Sequence, residues 1–187
     1  MGTQPGDLAT VCAAESLLPH LALDVPVDFV ALRRVSDMGE PSQEELETVG
    51  TPCGGATDMA ACEASLAMTW PSSTGWGYCG EGCSDSGLVW TRGDEVGLAD
   101  APEEVVALFG TIDAPAEALL RLTAEGYLSV DCPTLTEREG GGYEVEAVWL
   151  VSDCEWTEET RRVRIEPDGS LTVSEVLDTY SDGSCAR

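Results

Sequence analysis

Residues 143–151 read Tyr-Glu-Val-Glu-Ala-Val-Trp-Leu-Val, and their alternation sets Tyr143, Val145, Ala147, Trp149 and Val151 along one side of an extended chain. A period of two held over that length describes a strand with one face against a core. Downstream, Arg162–Glu166 and Leu171–Leu177 flank Pro167-Asp168-Gly169, a turn tripeptide, and read as two strands paired across it. Upstream, Tyr127–Cys132 supplies a shorter apolar run. The last third of the chain is therefore expected to be an antiparallel meander.

Before the meander, two segments begin alike: Asp100-Ala-Pro-Glu-Glu and Asp113-Ala-Pro-Ala-Glu. An Asp cap, a proline in the first turn and acids near the helix dipole's positive end predict two helices, stopped by Gly110 and Gly126. Val105, Val106, Leu108 and Phe109, then Leu119, Leu120 and Leu122, are their core faces. Thr57–Met68 is a third helix candidate, capped by Thr57 or Asp58, with Met59, Cys62 and Leu66 on one side. Val27–Val35 alternates as a strand, with Arg33 on its apolar side near the strand's end. Leu88–Trp90 and Val96–Leu98 form a hairpin around Thr91–Glu95, where Gly93 provides a positive φ. Glu40–Glu47 holds four acids in eight residues and reads as a solvated loop or short surface helix. Trp70–Gly87 reads as a long loop rich in Gly, Ser and Cys. The resulting expectation is an extended lead-in over 1–26 and one α+β domain over 27–187. That domain is a disulfide-stabilised antiparallel sheet of about five or six strands with two to three helices on one face.

Composition bounds function. The chain has 187 residues, 35 Asp plus Glu against nine arginines and no lysine, for a formal net charge of -26. Such a surface opposes binding to phosphate backbones and to anionic membranes. The absence of lysine excludes Schiff-base chemistry and the P-loop. His20 is the one histidine, and no G-x-S-x-G elbow accompanies it, so a His-dependent nucleophile is not expected. Lys and Asn are absent and Ile and Phe occur twice each, a bias that a GC-rich genome produces without functional cause. A solvated acidic coat keeps a protein soluble in a salty or crowded medium. No run reaches the length of a membrane-spanning helix.

Cys12, Cys53, Cys62, Cys79, Cys83, Cys132, Cys154 and Cys185 are an even set spread over the whole chain. That distribution reads as disulfides made in an oxidising compartment, whereas zinc would need paired cysteines with histidines beside them. Local pairing is expected: Cys53 with Cys62, Cys79 with Cys83, Cys132 with Cys154, and Cys12 with Cys185. Met1–Thr10 has neither the basic nor the apolar region of a secretory leader, so an exported chain is expected to carry its leader ahead of this sequence. Neither a lipobox at Cys12 nor a myristoylation site at Gly2 is formed.

Four constellations could carry function. Trp76, Tyr78, Trp90 and Arg92 lie on the Trp70–Gly87 loop and the Thr91–Glu95 hairpin, where aromatics on a stapled loop present apolar area at low entropic cost; filling the core is the alternative fate of these tryptophans. Arg92-Gly93-Asp94 spells an integrin-recognition tripeptide, although a tight turn asks for the same Gly and Asp. Glu144 and Glu146 share a strand face with Trp149 or Trp156 nearby, the raw material for a glycoside hydrolase, or simply a solvated sheet face. Ser84-Asp85-Ser86 and Ser181-Asp182-Gly183-Ser184 gather hard oxygens without the EF-hand spacing, so turns are preferred to calcium sites. No metal and no cofactor are expected.

The runs Leu88–Val96, Leu108–Leu119, Gly142–Val145 and Val151–Cys154 resemble predicted exported proteins of GC-rich myxobacteria whose function is unassigned. The resemblance spans residues 53–187, implies export and carries no catalytic residue across. The sequence thus leads to an exported, acidic, disulfide-stabilised, non-catalytic domain, a binding or structural accessory of the periplasm or cell surface. Its partner would be a protein or glycan, without nucleic-acid binding or membrane insertion. The alternatives are a carboxylate-dependent glycan hydrolase and an acidic cytosolic DNA mimic, the latter requiring reduced thiols.

Overall fold

A computed structural model describes residues 11, 16–37, 41–72, 76–79, 83–152 and 156–183. The chain is an antiparallel α+β protein stapled by the expected Cys53–Cys62 disulfide, whose Cα atoms lie 6.0 Å apart. Its strands divide between two sheets rather than joining in one. The first sheet contains β1 (Phe29–Ser36), β2 (Ser42–Gly50), β3 (Trp76–Cys79), β4 (Cys83–Arg92) and β5 (Glu95–Ala99). Its order is β2-β1-β4, and β3 and β5 then follow one another along the far edge of β4. The second sheet is the meander β6 (Ser129–Glu137), β7 (Tyr143–Ser152), β8 (Thr157–Ile165) and β9 (Leu171–Ser181).

Helices α2 (Pro102–Phe109) and α3 (Pro115–Glu125) join the sheets. A helix is buried around most of its circumference only when both sides are covered, and α3 buries Ala116, Glu117, Ala118, Leu119, Leu120, Arg121, Leu122 and Ala124. It lies between the two sheets in one continuous core that runs from Val30 and Leu88 of the first to Val145, Val163 and Ile165 of the second. Helix α1 (Met59–Met68) covers the opposite face of the first sheet, over Phe29, Ala31 and Val89. The sheet splits in two because this helix layer takes up an inner face from each half.

Both Pro-initiated helices form, one residue later than the Asp-cap reading implies. Ala101 and Ala114 are the N-caps, and the caps come from inside the helices. Glu104 accepts from the amides of Asp100 and Ala101 at 3.1 and 3.2 Å, and Glu117 accepts from those of Asp113 and Ala114, each at 3.0 Å. This is the returning half of a capping box. Gly110 and Gly126 end the helices with φ of 76° and 102°, backbone that an L side chain would strain.

Three segments differ from their sequence reading. Ser42–Gly50 is an edge strand paired with β1 rather than a loop or surface helix; exposed along most of its length, it has no buried face to impose alternation. The Trp70–Gly87 loop contains β3 and the first part of β4. Arg33 lies inside β1 and faces α1 rather than marking the strand's end. The lead-in reaches the core: a 3₁₀ turn (Leu18–His20) places Leu18 and Leu21 in it. Glu47 of β2 accepts from Ser16 Oγ and the amides of Leu17 and Leu18, while Glu117 accepts from the amide of Ala22 at 2.9 Å.

The three longer edge strands, β2, β6 and β9, all carry register shifts. Such bulges twist an edge away from pairing with another chain.

Candidate functional site

The residues singled out by sequence are placed on the first sheet. Trp76 is 3% exposed and donates Nε1–H to the carbonyl of Ala99 at 3.3 Å, so its ring fills the core. Trp90 is half-buried against the same core and lies over Gly97, where an added Cβ would stand 2.1 Å from its ring. Arg92 is exposed, with its guanidinium 5.8 Å from the Trp90 ring and 2.5 Å from Glu95. Tyr78 belongs to β3, and its side chain lies outside the described residues. The hairpin therefore joins Trp90 to Arg92, while Trp76 offers no surface to a ligand.

Within Arg92-Gly93-Asp94 the polar groups are spent on the fold. Asp94 accepts from the amides of Thr57 and Asp58, at 2.7 and 2.9 Å, and from Thr57 Oγ1. These donors hold its carboxyl below the usual range, the Thr57 hydroxyl contributing most. Gly93 donates its amide to Asp28 at 2.6 Å. The turn docks the start of α1, whose N-cap Asp58 accepts from Ala61 at 3.0 Å.

At the other end of α1, Arg33 donates to the carbonyls of Leu66 and Thr69 at 2.6 and 2.7 Å, pairs with Glu45 at 2.9 Å, and lies 4.6 Å from the Trp70 ring. A cation on the last carbonyls of a helix neutralises its negative end. The only sequence signal for this residue was its inward parity in an apolar strand.

Of the cysteines, Cys53 and Cys62 are bonded to each other and Cys132 is also in a disulfide. No cysteine is free among the described residues. Cys79 and Cys83 face one another across β3 and β4, but their side chains are not described. Cys12, Cys154 and Cys185 fall outside the described residues. Ser84-Asp85-Ser86 is strand backbone in β4, with Asp85 raised above the ordinary carboxylate range by burial and then by Asp37 and Asp100. Among the described residues no group of three acidic, histidine or cysteine side chains is placed to hold a metal.

Glu144 and Glu146 stand on the outer face of the second sheet, opposite the side that carries Tyr143, Val145, Ala147 and Trp149. Glu144 pairs with Arg164 at 2.8 Å and Glu146 with Arg162 at 3.0 Å. Trp149 faces inward, edge-on to Tyr127 with centroids 5.1 Å apart and with the Arg161 guanidinium 5.1 Å from its ring. Trp156 donates to Glu158 at 2.9 Å. The acids and Trp149 are thus on opposite sides of one sheet, and the two carboxylates enclose no cleft.

A cavity of about 220 Å³ lies where the α2–α3 loop meets the β6–β7 and β8–β9 turns, lined by Ile112, Asp113, Glu137, Tyr143 and Pro167 among others. Tyr143 donates to the carbonyl of Asp113 at 2.9 Å, and burial, followed by Glu137, Glu117 and Asp113, pushes its hydroxyl up to about 12. It remains a protonated donor at neutral pH and closes the joint.

What is left open is the outer face of the second sheet. Register aligns Asp131, Glu146, Arg162 and Glu175 in one row and Thr136, Glu144, Arg164 and Thr172 in the next. Beyond them come Val148, Thr160 and Asp178, then Leu150, Glu158 and Tyr180. No helix covers this side among the described residues, and Tyr180 is 58% exposed.

No family model, no curated protein and no solved structure matches this chain. Function must therefore be argued from its own chemistry.

Proposed function

We propose that this chain is an exported, disulfide-stabilised, acidic domain that acts without catalysis as a binding or structural accessory at the cell surface or in the periplasm. The observation that carries the reading is the pairing of charge. Every described arginine is engaged with a carboxylate of its own chain, so the large excess of acid is left facing outward. A surface of one sign steers and selects partners of the other sign. Bonded Cys53, Cys62 and Cys132 are in keeping with an oxidising compartment, and the resemblance to exported myxobacterial proteins points the same way. Among the described residues no helix is long and apolar enough to cross a membrane. Glycan hydrolysis would need two carboxylates converging on a sugar; Glu144 and Glu146, each bound to arginine on a flat face, give that alternative no support.

The test is intact mass after alkylation of the unreduced, denatured protein, with and without a chelator. No added mass is expected, which means that all eight cysteines are bridged. Labelling of several cysteines would sink the export argument, and labelling that appears only after chelation would make this a metal protein.

A further inference from the structure

Among the described residues the first sheet is covered on both faces, by α1 and by the α2–α3 layer, whereas the second is covered on one. We propose that the bare face of the second sheet is the docking surface, and that its occupant is a short, extended, basic segment of a partner protein. This rests on the binding reading above and assigns it a surface and a partner chemistry.

Charge selects the partner's sign. The face carries Asp131, Glu144, Glu146, Glu158, Glu175 and Asp178 against only Arg162 and Arg164. Arg162 is already divided between Glu146 at 3.0 Å and Glu175 at 2.5 Å. Incoming guanidinium or ammonium groups complete this partly neutralised lattice, while a second copy of the chain would bring like charge against like. Apolar chemistry adds a second requirement. Val148, Leu150 and Tyr180 lie on the same face beside the acids, so the segment must alternate cations with apolar side chains.

Shape suits an extended segment. Four strands about 4.8 Å apart and about eight residues long at about 3.4 Å each make a patch of roughly 19 by 27 Å, whose long side is the length of about eight extended residues. The bulges in β6 and β9 block strand addition at the edges, so the segment lies across the face.

The experiment is an NMR titration of the full chain with an eight-residue peptide alternating arginine and leucine, with its glutamate counterpart as control. Shifts are expected to cluster on 144–150, 160–164 and 175–180, with none from the control. Glu175→Arg combined with Asp178→Arg should weaken binding about tenfold. Glu63→Arg with Glu103→Arg, the same charge change on α1 and α2, should alter it by less than about twofold. Tyr180→Ser, which leaves all charges in place, should weaken binding even at about 0.5 M salt, where surface charges are screened. Equal losses in the two charge-reversed variants, scattered shifts, or no binding would overturn the proposal. A shift cluster at the Thr91–Glu95 hairpin would move the surface and leave the binding reading intact, whereas alkylated thiols would remove that reading itself.

Discussion

Arg33 and Arg162 occupy matching places in their sheets. Each lies on an interior strand, β1 between β2 and β4 and β8 between β7 and β9, and each pairs with a cross-strand glutamate. The side chain of Arg33 is 7% exposed and that of Arg162 is 35%. Under α1 little of the guanidinium is left to water, and Glu45, the Leu66 carbonyl and the Thr69 carbonyl take its donors. On the bare face water can replace any partner. One residue type on one kind of strand is a structural keystone where its face is covered and an exchangeable surface group where it is not.

The hardest way to break this comparison is Arg33→Ala. It leaves the two helix-terminal carbonyls of Leu66 and Thr69 without their donor, at about 1–3 kcal/mol each, while Glu45, whose side chain is 39% exposed, regains water. Urea unfolding should show a loss of that size. A loss below about 1 kcal/mol, the value of an exposed pair, would mean that α1 leaves Arg33 solvated and that the two sheets do not differ as described.

Glu117 tests the layer that the sheets share. It is 0% exposed, and burial, opposed by the amides of Asp113, Ala114 and Ala22, raises its carboxyl to about 7 from 4.5. The folded state therefore holds a proton that the unfolded state releases. The stability this contributes is complete below about pH 4.5 and is lost as pH rises through about 7, to the extent of about 3 kcal/mol. Glu117→Gln cannot titrate. The wild-type-minus-variant difference in unfolding free energy should thus fall between pH 5 and 8 in urea melts, and a flat difference would show that water reaches the carboxylate. Other acids change with pH in both proteins and cancel in the subtraction.

Next in size is the Cys53–Cys62 staple, which holds α1 over the first sheet by closing a loop with a sequence separation of nine. Chain entropy assigns a loop of that length about 2.5 kcal/mol. Cys53→Ser with Cys62→Ser should lower the unfolding free energy by about that amount. Hydrogen exchange should show where: amides of α1 and β5 lose protection before those of β7 and β8, and a uniform loss would mean that α1 and the second sheet open as one unit.

Elements with a buried face were legible in the sequence. Alternation in Tyr143–Trp149, the Pro167-Asp168-Gly169 turn, the two Pro-initiated helices and the glycines that end them all recur in the fold, because each is a local consequence of burial or backbone geometry. Val151, expected on the inward face, is instead 50% exposed at the register shift that follows Leu150. β2 was not legible, since an exposed edge strand has no parity to display. Neither was the division into two sheets: alternation shows that a residue faces a core, not which core element it meets. The clue lay in α3, where Ala116, Ala118, Leu119, Leu120, Leu122 and Ala124 leave little of the circumference polar. The candidate site was the least legible part. Asp94 looked available because Thr57, its hydrogen-bonding partner, is 37 positions away, and Trp76 looked available because its strand was hidden in a run of Gly, Ser and Cys.

The smallest expected effect is the most informative for function. Arg162→Ala removes two salt bridges at once, to Glu146 and Glu175, and by contact counting should rival Arg33→Ala. The bare face gives the opposite expectation: both carboxylates are rehydrated where they stand, and the thermal midpoint should shift too little to resolve from replicate scatter. A pair of arginines placed to hold the sheet together would behave otherwise. If Arg162→Ala lowers the midpoint as far as loss of the disulfide does, the Glu146–Arg162–Glu175 row is a fastening and the face is not free to exchange partners. If it does not, the row spends little of the domain's stability, and its arginine can be matched or displaced by cations that a partner brings.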